Sequence, residues 1–439
     1  MKRDGRRKIE LNIKRIKEKN KVNIIKNVIF VGPIFFCFFF LAGCSFSPSD
    51  RDRKFSQEEI EQLSLDSTGI IRLAEDDKEV IDLEEFTEDK TFNIGEQIQD
   101  VMVLPLRTDS TTASLLTRID DVVMTDSFVY VKDNIHGGEI AIFDKSGIFV
   151  SRISVGEGPD KIGGAKDFKF NQRDNVLQVL NNHYMSFFTP RGDFLYKERI
   201  PLNAYSFAII PTGYLFYAIS GLYNDHIDKE VKNQIYQTDA TYQLKYKGFP
   251  YKYGKDNNYE GGSRYLKSQS GTHSFSFKFD NNIYRYIDNG RVSSKFELNF
   301  REKGIPHHLL KGKIAMLLNA LRNNDYYFYL GDYCENSSHS FIKILNLYRG
   351  QYTFVYRDNT NGVCLGGNQI KLERTFLPPI NEPISSYGDY FISYFFPNDE
   401  NLKLLNAGYL SEETVAYLRK MPSDDNPVLV FFKLKDFNK

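Results

Sequence analysis

The chain has 439 residues, 41% hydrophobic and 26% charged, a balance that excludes a disordered polymer and suits one large all-β unit or two or three ordinary domains. Lys plus Arg and Asp plus Glu each number 57, so the formal charge is zero, but the signs separate along the chain: residues 1–26 hold eleven basic and three acidic groups, leaving residues 44–439 at −8. That excess of acid argues against nucleic acid as a partner, because phosphate binding needs clustered Lys and Arg.

Behind the basic stretch, Val28 to Ala42 is an apolar run of fifteen residues, shorter than a helix needs to cross the roughly 30 Å hydrocarbon core. Residues 1–43 therefore read as a signal peptide. The run ends in Leu41-Ala42-Gly43-Cys44, which resembles the lipobox of bacterial lipoproteins. That resemblance implies cleavage before Cys44 and acylation of its thiol, with several chains anchoring the protein at about 0.8 kcal/mol per buried CH₂. Ser45 in place of Asp leans, by the same resemblance, toward the outer membrane, and Phe46 to Arg51 lack the acidic cluster associated with surface export, which favours the periplasmic side.

Residues 44–77, with Ser, Pro and many charges, read as a solvated tether with a reach of roughly 30 Å. Ser56-Gln57-Glu58-Glu59 ahead of Ile60 and Leu63 has capping-box spacing, so a short helix can interrupt it.

From about residue 78 the pattern is of short apolar or alternating runs bounded by Asp, Asn, Gly and Pro, the mark of many strands joined by tight turns. Strand follows strand without alternating helices, which excludes a parallel α/β sheet. Ile142-Phe143-Asp144-Lys145-Ser146-Gly147-Ile148-Phe149 and Phe187-Phe188-Thr189-Pro190-Arg191-Gly192-Asp193-Phe194 repeat one phrase 45 residues apart, and turns at Gly290 and Gly350 continue it. The third repeat, around Asp239 to Tyr242, lacks the glycine. A period of 40–50 residues with several strands per unit signals a β-propeller. Middle strands of stacked blades are buried on both faces, which suits the unbroken runs Tyr214–Ile219, Tyr326–Leu330 and Tyr390–Phe396. The 36 Phe and 28 Tyr supply bulk for the wedges between blades, and zero Trp excludes WD40 repeats.

Five internal repeats end near Ile153, Ile200, Lys247, Phe300 and Tyr356. The sixth is assembled from the two ends: Tyr390–Phe396 and Val428–Leu434 with Val101–Leu106 closing the ring. Two helical inserts are expected, at Pro306–Leu321 and at Ser411–Arg419, where Ser411 caps. The expected fold class is thus an all-β, six-bladed β-propeller over residues 78–439.

Val103-Leu104-Pro105-Leu106, Ile119-Asp120-Asp121-Val122-Val123, Phe128 to Asp133, Phe143 to Gly147, Gly156-Glu157-Gly158-Pro159 and Asp425 to Val430 resemble the six-bladed β-propeller lipoproteins of Bacteroidetes, relatives of NHL-type propellers. The resemblance implies the fold and carries over no catalytic residues.

Motifs with chemistry are scarce. Gly156-Glu157-Gly158-Pro159 has no GK[ST] and reads as a turn between blades. Adjacent His307 and His308 project about 100° apart on a helix and do not share a metal. Cys334 and Cys364 leave three readings open: a disulfide, two free buried thiols, or, with His339, an incomplete zinc set. The acid pairs Asp120-Asp121, Glu84-Glu85 and Asp424-Asp425 read as turn or solvated residues. No cofactor, metal or catalytic set is assigned. The expected function is a lipid-anchored envelope propeller that binds a ligand or protein partner, with an outer-membrane transporter as one candidate partner. Its rival is an envelope enzyme acting on glycan or another polymer at the axis. An apolar, aromatic-rimmed patch favours the first, and a cluster of acids at the axial mouth the second.

Overall fold

The computed structural model describes residues 55–74, 78–109, 112–134, 138–158, 160–181, 183–219, 224–228, 231–251, 266–269, 271–371, 380, 382–405 and 410–438. Cys44 and the signal-like run lie outside them.

Six antiparallel four-strand arrays form a ring of blades. Blade 1 runs Ile119–Met124, Phe128–Asp133, Glu139–Asp144 and Phe149–Ile153. Blade 2 runs Asp167–Asn171, Val176–Asn181, Tyr184–Phe188 and Phe194–Arg199. Blade 3 runs Ser206–Ile210, Gly213–Tyr217, Asn233–Asp239 and Leu244–Pro250. Blade 4 runs Leu266–Gln269, Thr272–Ser276, Asn282–Asp288 and Arg291–Asn299. Blade 5 runs Phe328–Glu335, His339–Asn346, Gln351–Asp358 and Cys364–Gly367. Blade 6 takes Ser385–Tyr387, Tyr390–Phe395 and Val428–Leu434 from the C-terminal side and Ile98–Pro105 from the N-terminal side. There Val428 pairs with Pro105, Val430 with Val103 and Phe432 with Val101, so the ring closes as the repeat pattern requires.

Each gap between blades is filled by its own apolar cluster. Between blades 1 and 2 it includes Tyr130, Ile142, Phe168 and Phe188; between 4 and 5, Phe296, Tyr329, Tyr333 and Ile342; between 6 and 1, Val122, Phe143, Ile392 and Phe431. Gly213–Tyr217 is buried at every position, as a strand covered on both faces must be. At about 25 cal/mol per Å² of apolar surface, these aromatic wedges are the main force holding the blades together.

The repeated glycine has a mechanical reason. In the turn between the third and fourth strands of blade 1, Asp144 Oδ1 accepts from the amides of Ser146 (2.8 Å) and Ile148 (3.0 Å), and Gly147 sits at φ +79°. A Cβ at Gly147 would stand 2.0 Å from the Pro105 carbonyl oxygen of blade 6, so neighbouring blades meet through this turn. In blade 3 the equivalent position is Tyr242, at φ +64°, in a turn organised by Asp239 Oδ1. The repeat is intact there, with a tyrosine in the left-handed region. Gly350, assigned to the same series from its spacing, belongs instead to the turn between the second and third strands of blade 5. The matching turn is at Gly362, φ +79°, where Asp358 Oδ1 accepts from Thr360 N (2.8 Å). For the same reason blade 5 ends at Gly367, one strand beyond Tyr356.

Residues 55–74 depart from the expected tether. The capping box forms: Ser56 Oγ accepts from Glu59 N (3.2 Å) and Glu59 Oε2 from Ser56 N (2.6 Å), opening the helix Gln57–Gln62. From there the chain straps the rim of the ring. Leu63 is fully buried against blades 2 and 3. Gly69–Ile70 then adds in parallel to the outer strand of blade 3, and Arg72–Leu73 and Glu79–Asp82 to that of blade 4. Thr91–Asn93 pairs with Gln369–Lys371 just beyond blade 5. Charged spacing hid this strap, because a segment lying on an edge needs only single anchors such as Leu63, Ile81, Leu83 and Phe86, with no apolar period of its own.

Because strands alternate in direction, the short first-to-second and third-to-fourth hairpins share one face. The opposite face carries the long excursions. Between blades 4 and 5 these include His307–Leu310 and Ile314–Asn323, with Gly312 between the two helices, where one helix was expected. Within blade 6 they are Asp399–Leu404 and Glu412–Leu418, the latter capped by Ser411 as expected, its side chain accepting from Thr414 N.

Candidate functional site

The innermost strands bring charged residues to the axis, and among the described residues those carboxylates meet lysines. Lys132 lies 3.0 Å from Asp120, Lys169 2.6 Å from Asp167, and Lys267 of blade 4 reaches 4.0 Å from Asp121 of blade 1. Asp167 also accepts from Ser206 Oγ (2.5 Å) and Phe207 N (3.0 Å) of blade 3. Lys343 sits between Asp332 (3.2 Å) and Glu382 (2.7 Å). Burial opposes its charge, but the two carboxylates outweigh it and raise its pKa. His273, hydrogen-bonded to Ser268 Oγ at 2.9 Å, is pushed down to about 4, by burial first and by the Lys169 charge second. Asp120 and Asp121, expected as turn or solvated residues, both face cations on other strands.

Between blades 4 and 5 lies a buried polar knot. Glu335 is ion-paired with Lys295 and accepts from Ser274 Oγ (2.8 Å) and Tyr333 OH (3.0 Å), while Tyr333 OH also meets Ser340 Oγ (3.0 Å). Burial raises the Glu335 pKa, yet the Lys295 charge and the three donors hold it below the usual carboxylate range. Burial is the largest cause of the lowered Lys295 and of the strongly raised Tyr333. Every member is satisfied, so the knot fixes the register of two blades.

A concave site lies elsewhere, between blades 6 and 1 on the hairpin face. It encloses about 490 Å³ and is lined by Met102, Leu104, Met124, Tyr387, Tyr390 and Phe431, with Lys145 and Asp389 at its margin. Both tyrosines are held by carboxylates: Tyr387 OH donates to Asp126 Oδ1 (2.7 Å) and Tyr390 OH to Asp100 Oδ2 (2.6 Å). Those bonds are the first cause of their raised pKa values, Tyr390 being pushed up to about 12. Asp389 is held low by Ser337 and then by Lys433 at 3.0 Å. The rings are thereby fixed as the rim of an apolar groove. Its residues come from five separate segments, so no local motif marks it.

The other residues singled out by sequence are placed as follows. Cys334 and Cys364 are free thiols on the first and fourth strands of blade 5, with two strands between them. Three strand spacings of about 4.8 Å far exceed what a disulfide bridges, which decides between the readings left open. Burial raises the Cys364 thiol to about 11. His339 Nε2 donates to the Lys435 carbonyl oxygen (3.0 Å), and among the described residues no group of three or more His, Cys, Asp or Glu is placed to hold a metal. Gly156 and Gly158 form the turn between blades 1 and 2, with Gly158 at φ +138°. His307 and His308 are exposed on their short helix. Glu84 and Glu85 pair with Arg301 (2.9 Å) and Lys90 (3.0 Å), and Asp425 accepts from Thr108 Oγ1 (2.9 Å), which are surface and loop roles. Among the described residues no helix is long and apolar enough to cross a membrane.

Comparison with solved structures finds proteins of similar fold. A protein of Bacteroides fragilis NCTC 9343 described as exported matches with a TM-score of 0.61 at 17% identity, over 81% of this chain and 99% of its own. The extracellular domain of a one-component system from B. thetaiotaomicron matches at TM-score 0.33 and 10% identity, covering 62% of this chain and 30% of its own. BamB from Moraxella catarrhalis matches at TM-score 0.34 and 10% identity, covering 66% and 85%. No curated protein matches. A family profile covers residues 78–433, the whole ring from the second strand on the rim of blade 4 to the end of blade 6, and the chain belongs to that family, described as Domain of unknown function (DUF4934).

Proposed function

We propose that this protein is a lipid-anchored β-propeller of the cell envelope that binds an extended peptide segment of a protein partner in the groove between blades 6 and 1. The observation that carries the reading is the groove itself: apolar, rimmed by two immobilised tyrosines, and bordered by Ile98–Pro105, the terminal strand of its sheet. An apolar cleft beside a strand edge suits a peptide that pairs through its backbone and inserts alternate side chains. The chain itself uses this mode on the same rim, where Gly69–Ile70 and Glu79–Asp82 add in parallel to the outer strands of blades 3 and 4. The envelope address rests on the apolar run and Leu41-Ala42-Gly43-Cys44, with acylation at Cys44 and outer-membrane, periplasm-facing placement, and agrees with the exported description of the B. fragilis protein. An envelope protein such as an outer-membrane transporter is the partner class this placement offers. Against glycan hydrolysis at the axis stands the pairing of Asp120, Asp167 and Asp332 with lysines, which leaves them poorly suited to acid and base roles.

The test is binding of an immobilised decapeptide library to the protein and to its Met124→Asp and Tyr387→Ala variants. Peptides with apolar residues at alternate positions should bind, and each variant should weaken them at least tenfold while unfolding within a few degrees of the parent. Binding that both variants leave unchanged overturns the groove as the site. Selective binding of oligosaccharides in parallel wells would favour the enzyme reading.

A further inference from the structure

The strap shows where the chain enters the ring. Phe55, the first described residue, packs against His226 with ring centroids 4.4 Å apart and lies 5.3 Å from the Arg199 guanidinium, while Glu59 pairs with Arg199 at 2.6 Å. Entry is therefore pinned at the rim where blades 2 and 3 meet, eleven residues beyond Cys44. Eleven residues fully extended span at most about 40 Å. A compact body of this size has a radius of gyration of about 21 Å and is about 50 Å across, so that leash is too short to round it.

The same rim is unusually apolar. Leu195 and Tyr196 on the outer strand of blade 2, Ile70 along blade 3, and Leu73 and Val80 along blade 4 are each 45–61% exposed. Arg72 and Lys197 are exposed among them. Three of the five belong to the strap, whose inward residues Leu63 and Ile81 are buried. Glu79 and Glu198 are exposed there too, so the charges are mixed, and it is the outward apolar row that fits the interface of a bilayer, where such side chains sink a few Å.

We propose that the rim of blades 2 to 4 is a membrane-resting surface, so that the propeller stands on edge on its bilayer with blade 6 and its groove directed away from the lipid. The proposal rests on anchoring through Cys44. Lipid is the occupant because the chain leaves this rim toward an acylation site within about 40 Å. Standing on edge leaves the groove open to a partner.

The experiment places a photo-crosslinking benzoylphenylalanine at position 195, 73, 102 or 417 of the full chain in its native envelope and reads adducts with a clickable phospholipid. Positions 102 and 417 are exposed on blade 6 and serve as the far side. Mass spectrometry of the N-terminal peptide from the same samples reads acylation of Cys44. Adducts at 195 and 73 at least fivefold above 102 and 417 with Cys44 acylated support the proposal; the same adducts without acylation keep the resting surface and overturn the anchor. If Cys44 is acylated and adducts are absent or equal at the four positions, the resting surface is wrong and the anchor stands. Neither acylation nor adducts would end both.

Discussion

Lys267 Nζ lies 4.0 Å from Asp121 Oδ1, and the two residues belong to blades 4 and 1, which face each other across the ring. The contact closes the axis with a cation from one side and an anion from the other, both largely shielded from water. A pair of this kind contributes little beyond what its desolvation costs, but removing one member takes a compensating charge away from the other. Lys267→Met should lower stability by about 1–3 kcal/mol, and adding Asp121→Asn should restore at least half of the loss. Urea midpoints of the two single variants and the double variant measure the coupling; strictly additive losses would show that no interaction crosses the axis.

The strap acts through single buried anchors. Leu63 is fully buried between blades 2 and 3, so Leu63→Ala should cost about 2–4 kcal/mol. If residues 55–74 were a solvated tether, the thermal midpoint of this variant would not move.

Two glycines separate backbone strain from steric contact. Gly147 and Gly388 both have positive φ, +79° and +57°. A Cβ at Gly147 meets the Pro105 carbonyl oxygen at 2.0 Å, whereas nothing lies within 4 Å of one at Gly388. Gly388→Ala should cost about 1 kcal/mol, and Gly147→Ala clearly more, with the excess arising from the joint between blades 1 and 6. Equal losses in chemical denaturation would contradict that joint.

His273 sets a pH dependence. Its pKa of about 4 in the folded protein lies below the ordinary 6.5, so the unfolded chain binds the extra proton between those values. Stability is therefore full above pH 6.5 and falls as the pH drops toward 4, by about 3 kcal/mol at the limit. His226 and His339, both lowered first by burial, act in the same direction. Melting temperatures from pH 7.5 to 4.5 should decline, and His273→Gln should flatten the decline; an unchanged slope in that variant would assign it elsewhere.

The two thiols should remain reduced in an oxidising compartment. Alkylation after denaturation without reductant should modify both Cys334 and Cys364, and native-state labelling should be slow at Cys364 because burial raises its thiol to about 11. A Cys334–Cys364 cross-linked peptide would require a different strand order in blade 5.

The ring was legible from the sequence because a propeller is local: each blade repeats its hairpins at a near-constant spacing, and Asp144 to Gly147 or Thr189 to Gly192 carry the turn chemistry in four residues. Closure by Ile98–Pro105 on Val428–Leu434 followed from having five internal repeats and strands left at both ends. Spacing failed where two turns of one blade look alike, as with Gly350 and Gly362, and where a tyrosine, Tyr242, accepts the left-handed backbone in place of glycine.

What the sequence by itself determined is the strand pattern, the number of blades and the capping of the helices at Ser56 and Ser411, all set by interactions between residues a few positions apart. What only the tertiary structure decided is the strap along the rim, the lysines that answer the axial carboxylates, the separation of the two cysteines and the groove between blades 6 and 1. Each of these depends on which segments lie side by side after the ring has closed, and periodicity within a segment carries no record of its neighbours.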